Sequence, residues 1–92
     1  KNHDAAVADY SRAIKLRLDD PAPWFGRGRA FAAMNKRRDA IDDFDQAVKL
    51  KPDNPDYYVE RGYCYGDIGD FERAVQDFDK ARAKYSASLE AD

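Results

Sequence analysis

The chain has 92 residues, room for one compact unit or a short array of small ones. Sixteen Lys and Arg against 18 Asp and Glu give a formal charge of −2, which argues against a nucleic-acid binder, since phosphate contacts need clustered positive charge. Apolar residues at 43% and aromatics at 13% are too many for a disordered chain, yet a globule this small hides only roughly 60–65% of its unfolded surface, which leaves little depth for a catalytic cavity.

Five helices and no strand are predicted. The first, near residues 4–17, carries Ala6, Val7, Tyr10, Ala13 and Ile14 at the i, i+1, i+4, i+7, i+8 spacing of an amphipathic helix. Asp20-Pro21 opens the second, near 21–34: an Asx N-cap precedes a proline whose missing N–H costs nothing in the first helical turn. Trp24, Arg27, Gly28 and Phe31 mark one face of it, and Asn35 falls where a left-handed C′ residue closes a helix. The third, near 37–50, bears the stripe Ala40, Ile41, Phe44, Ala47 and Val48 and stops at Leu50-Lys51-Pro52. Asn54-Pro55 opens the fourth, near 55–68, with Gly69 as its closing residue. The fifth, near 71–85, carries Ala74, Val75, Phe78 and Ala81.

These elements repeat. A shift of 34 residues lays 21–54 on 55–88 with eight identities: Pro21/Pro55, Arg27/Arg61, Gly28/Gly62, Ala40/Ala74, Asp43/Asp77, Phe44/Phe78, Asp45/Asp79 and Ala47/Ala81. Trp24/Tyr58, Phe31/Tyr65, Met34/Ile68 and Ile41/Val75 match in kind. One step back, Ala6, Asp9, Tyr10 and Ala13 fall on Ala40, Asp43, Phe44 and Ala47. Residues 1–20 therefore read as the second helix of an incomplete unit, 21–54 and 55–88 as complete units and 89–92 as a tail, about two and a half repeats. A glycine inside a helix costs about 1 kcal/mol relative to alanine. Its recurrence at positions 28 and 62 implies a close helix crossing, with Gly28 expected to face Ala40 and Gly62 to face Ala74.

The pattern resembles the tetratricopeptide repeat (TPR) family. Trp24, Gly28, Phe31, Ala40, Phe44, Ala47 and Pro52 stand at its signature positions in one unit, and Tyr58, Gly62, Tyr65, Ala74, Phe78 and Ala81 in the next. The resemblance implies an all-α fold of antiparallel helix hairpins stacked into a right-handed superhelix. Its inner surface would bind a peptide or protein segment without covalent chemistry. By the family's geometry that surface comes from Ala22, Phe25, Gly26, Arg29, Ala32 and Ala33 on one helix, then Asp56, Val59, Glu60, Tyr63, Gly66 and Asp67 on another. Within it Phe25, Arg29, Val59, Glu60 and Tyr63 are the expected partner-binding residues. One TPR subclass grips the terminal carboxylate of chaperone tails with Lys and Asn; here Phe25, Arg29 and Glu60 stand in those places, and the glutamate would repel an acidic tail. Ser86 replaces the terminal proline, and Arg82 and Lys84 replace Val48 and Leu50, so the last helix reads as capping the array or preceding no ordinary repeat.

Recurring charges admit two readings: a binding ladder, or inter-helix pairs that hold the stack. Arg27 is placed for Asp9 or Asp43, and Arg61 for Asp43 or Asp77; their period matches the scaffold, which favours the pairs. Lys36-Arg37-Arg38 reads as a solvated turn, with a docking patch for an acidic partner as the other account. Residues 1–54 carry 11 basic and 9 acidic groups and residues 55–92 carry 5 and 9, a mild polarity along the chain. His3, the sole histidine, lies at the start, so no Ser/His/Asp or Cys/His set has a placed base. Asp42, Asp43 and Asp45 lack a calcium-loop pattern, and no glycine-rich loop follows a strand. No catalysis, metal or cofactor is expected. Cys64, the only cysteine, excludes an internal disulfide and fits a buried helical position; a reducing compartment such as the cytoplasm suits it without being fixed by it. No apolar run reaches the roughly 18 residues of a membrane span.

Two other functional readings remain. The first helix lacks the partner its stripe expects, so the chain reads as a fragment or trimmed array. Val7, Tyr10 and Ile14 would then be uncovered and could drive a homo-oligomer. Alternatively the chain is a regulatory arm of a larger enzyme.

Overall fold

Helix boundaries follow the cap chemistry. In the computed structural model, which describes residues 2–91, the helices are α1 (His3–Leu16), α2 (Pro21–Ala33), α3 (Arg37–Leu50), α4 (Pro55–Asp67) and α5 (Phe71–Ala91). No strand occurs among the described residues. The side chains of Asn2, Asp20 and Asn54 accept from the backbone N–H groups of Ala5, Ala22 and Asp56 at 3.0, 3.0 and 2.9 Å, each such cap being worth about 1 kcal/mol. Asn35 and Gly69 adopt φ of 62° and 86°. These left-handed residues let Lys36 N–H reach Phe31 O at 2.9 Å and Asp70 N–H reach Tyr65 O at 2.8 Å, which closes both first helices of the units with a Schellman turn.

Each helix packs on the one that follows it, and α2 also meets α4. Turns of three or four residues force neighbouring helices to run antiparallel. The result is a slab of 38 × 31 × 21 Å. Its centre is Ala40, Ile41 and Phe44 of α3 with Cys64 of α4, flanked by Phe25, Phe31, Tyr65 and Ile68.

The small residues work differently from the expectation. A Cβ on Gly28 would lie 2.6 Å from the Phe44 ring, and one on Gly62 would lie 2.8 Å from Phe78. The atoms nearest each glycine therefore belong to the phenyl ring sixteen positions on rather than to Ala40 or Ala74. A Cβ on Gly66 would lie 3.9 Å from the Ala74 Cβ.

Two further corrections concern the ends. Helix α5 does not stop near residue 85 but continues to Ala91, so residues 89–91 form its last turn rather than a tail; Lys1 and Asp92 lie outside the described residues. On α1 the stripe is not bare: Ile14 is buried, Val7 is half-buried and Tyr10 lies against Gly26.

The recurring charges are inter-helix ties. Arg27 donates to both Asp43 oxygens, Nε to Oδ2 and Nη2 to Oδ1, each at 2.8 Å, and its Nη1 reaches Ser11 Oγ at 3.0 Å. Arg61 does the same one unit later, with 2.9 and 2.7 Å to Asp77 and 2.9 Å to Asp45 Oδ1. Asp9 takes no part; it pairs with Arg12 on the surface. Ser11 and Asp45 are themselves 34 residues apart, so each arginine spans three consecutive helices by one geometry. The hydrogen bonds to Asp77, above all, push the Arg61 pKa up and keep the guanidinium charged. Both partner carboxylates are buried, and the fork fits them bidentately.

Candidate partner-binding groove

A groove of about 640 Å³ opens between α1, α2 and the start of α4. Ala22, Gly26, Ala30 and Ala33 recur along one face of α2 and line it. Gly26 lets the Tyr10 ring lie close, since a Cβ there would be 2.5 Å from the ring and force it to shift. Ala6 and Tyr10 of α1 form one wall, and Phe25 and Tyr57 the other. Polar groups are few: Arg29, Asn54 and His3.

Phe25 is a wedge. Its ring centroid lies 4.8 Å from that of Tyr57 and 5.6 Å from that of Phe44, so the groove wall is continuous with the core. Arg29 sits 5.7 Å above the Phe25 ring, within cation–π range, and makes no ion pair among the described residues. Burial pushes the Tyr57 phenol pKa up, so the tyrosine stays neutral at physiological pH. An apolar trough with one cation suits an apolar segment that carries a negative or hydrogen-bonding group.

The structure divides the expected partner-binding residues. Phe25 and Arg29 line the groove, together with Ala22, Gly26 and Ala33; Ala32 packs against the core instead. Val59, Glu60 and Tyr63 are not among its lining residues. Tyr63 is 61% exposed and meets Phe78 edge-on at 5.3 Å, on the α5 side of α4. Sequence reasoning missed His3, Ala6, Ala30, Asn54 and Tyr57 and gave Tyr10 another role. The usable signal was the repeat itself: 34 positions after His3, Ala6 and Tyr10 come Arg37, Ala40 and Phe44, where α2 lies.

Other candidate chemistry is tied down. Arg37 of the basic run bonds Asp67 at 2.7 Å and Asn35 at 2.9 Å, linking α3 to α4. A smaller hollow of about 290 Å³ includes Arg38, Asp42, Asp70 and Arg73 in its lining, and Arg73 is held by Asp70 at 2.8 Å. Burial pushes the Cys64 thiol up to about 11, so at neutral pH it is not a thiolate nucleophile. Among the described residues no three or more His, Cys, Asp and Glu gather to hold a metal ion, and no helix is long and apolar enough to cross a membrane.

Repeated helix hairpins, glycine-seated rings and a groove faced by small residues define an α-helical repeat protein. A tetratricopeptide repeat family model matches residues 25–88, and the chain belongs to that family. The fold is accordingly a run of stacked antiparallel hairpins of the TPR superhelix. A crystal structure of MamA superposes with a TM-score of 0.95 at 24% identity, over 98% of this chain and 53% of that one. A second MamA structure, MSR-1, gives 0.90 at 25% identity, over 95% and 50%. The chain thus spans about half the length of these MamA structures. The second TPR of Spaghetti (RPAP3), solved with the HSP90 peptide SRMEEVD, gives 0.86 at 23% identity over 88% of this chain and 75% of that one. No curated protein matches the chain.

Proposed function

We propose that this chain is a non-catalytic protein-interaction scaffold that holds a peptide or protein segment in the groove between α1, α2 and α4. Its units are residues 21–54 and 55–88, preceded by the second helix of an incomplete unit in 1–20. The observation that carries the reading is the 640 Å³ groove with Arg29 at its wall, which makes no ion pair among the described residues. Pockets of this size with a few convergent polar groups are the usual form of a binding site, and aromatic and arginine side chains dominate binding energy where they are seated in pockets. Family membership and the peptide carried by the RPAP3 relative support the class of ligand, not its sequence. Phe25 and Arg29 are the central contacts, with Tyr10 and Tyr57 as walls. Val59, Glu60 and Tyr63 extend the surface along α4 for a longer segment. Neither nucleic acid, membrane nor cofactor enters this reading.

Selection from a random peptide library against the intact chain tests it. Selected peptides should lose at least about tenfold in affinity on Arg29→Glu or Ala22→Glu, both exposed positions, and less on Tyr63→Ala. Peptides that bind both groove variants as tightly as wild type would place the site elsewhere.

A further inference from the structure

Helix α5 carries a seam that α4 covers only in part. Phe71, Val75, Phe78, Arg82, Tyr85 and Leu89 are spaced 4, 3, 4, 3 and 4 residues apart, the alternation of a heptad seam. At 100° per residue they fall within an arc of about 80°, roughly a quarter turn from the buried Ala74, Asp77 and Ala81. Phe71, Val75 and Leu89 are 69, 57 and 76% exposed. On α3 the equivalents of Val75 and Phe78 are Ile41 and Phe44, both buried under α4. On the same face of α5, Phe78 and Tyr85 reach back to α4 at Gly62, Tyr63 and Asp56, while Phe71, Val75 and Leu89 stay largely exposed.

We infer that this seam is a self-association surface, on which α5 of a second copy lies antiparallel. Three features select that occupant over a helix that turns straight back onto α5, as α4 does onto α3. First, the turn Lys51–Asn54 that returns α4 onto α3 has its counterpart at residues 85–88, and these are helical. Second, Tyr85 reaches Asp56 in the first turn of α4 at 2.9 Å, so Ser86 to Ala91 run on past α4 and carry the seam beyond the body of the array. Third, the charges complement one another. Asp79 flanks the seam on its acidic side and Arg82 lies in it; both are exposed and, among the described residues, pair only along their own helix. A parallel, in-register pair would stack Arg82 on Arg82. An antiparallel pair centred on Lys80 separates the two arginines and brings each toward Asp79 of the other copy, with opposed helix dipoles. The exposed seam side chains of two copies would bury on the order of 1,000 Å², the lower bound for a specific interface, so the dimer is weak.

Sedimentation equilibrium of the 92-residue chain from 10 µM to 1 mM, taken here as a rough span for weak interfaces, tests this. The expected result is a reversible monomer–dimer equilibrium. Val75→Asp and Leu89→Asp should each raise its dissociation constant at least about tenfold with the thermal midpoint retained, and Val7→Asp on α1 should leave it unchanged. Asp79→Arg and Arg82→Asp should each weaken self-association, while their equimolar mixture should associate more tightly than either alone. A monomer throughout would overturn the inference. So would a dimer abolished by Val7→Asp but not by Val75→Asp, or a charge-variant mixture no tighter than its components.

Discussion

Residues 21–54 and 55–88 repeat the same framework positions, yet equivalent residues do unequal work in each. Phe44 seats on Gly28 and is fully buried; Phe78 seats on Gly62 and is 38% exposed. Ile41 is 7% exposed and its counterpart Val75 is 57%. The difference is not in the unit but in what lies beyond it: α4 covers the outer face of α3, and nothing described covers that face of α5. A repeat sets where a side chain points, and the neighbouring unit decides how much water that side chain loses.

The sharpest test of that contrast is a matched pair of truncations. Phe44→Ala should cost about 3–5 kcal/mol in urea unfolding, and Phe78→Ala markedly less, since a half-exposed ring gives up less transfer energy and leaves a site open to solvent. Equal losses would mean that the seam of α5 is covered in solution.

Next come the arginines. Arg61→Ala strands buried Asp77 and frees Asp45, with an expected loss of about 3 kcal/mol. Arg27→Ala strands buried Asp43 but releases only a serine on its other side, and should cost somewhat less. Reversal of that order would show that the second carboxylate opposes folding rather than supports it. The glycines give a smaller effect. Gly28→Ala gains helix propensity but forces its methyl into the immobile Phe44 ring, for a net loss of about 1–2 kcal/mol. Gly62→Ala presses on a ring that can yield toward solvent, and should be closer to neutral.

The smallest expected effect is a pH dependence. Burial raises the Cys64 thiol from 9.0 to about 11 in the folded chain. The native state therefore keeps a proton that the unfolded state releases, so stability from this group is complete below about pH 9 and declines as pH rises through 11. The phenols of buried Tyr57 and half-buried Tyr65, also raised, act in the same direction. Cys64→Ala should flatten the alkaline limb of a stability profile, and thiol reagents at pH 8 should label Cys64 only on unfolding.

Most of the architecture was legible because its signals are local. Asx-Pro starts, left-handed stops at Asn35 and Gly69 and an apolar stripe each need only a few consecutive residues. The Arg–Asp ties were legible as a pair of alternatives, and three-dimensional reach chose Asp43 and Asp77. What filled the space above Gly28 was not legible, because a recurring glycine announces close approach without naming the atoms that approach. The groove was half legible. Its α2 positions followed from the family pattern, whereas Ala6 and Tyr10 enter because their counterparts Ala40 and Phe44 face α2, the helix before α3, and no described helix holds that place before α1. The equivalent space around Arg37, Ala40 and Phe44 is taken by α2, and Val59, Glu60 and Tyr63 lie outside the groove. The length of α5 escaped because Ser86 and Leu89 lack the stop signals that end α3 at Pro52.

One consequence of the arginine ties concerns how the array opens. Arg61 holds α5 through Asp77 and α3 through Asp45 at once. When α5 peels away, the guanidinium loses one carboxylate but retains the other, so it is never left without a counterion. Fraying from that terminus can then pause with four helices still joined. Amide exchange should register the pause as a step in protection between α5 and the rest.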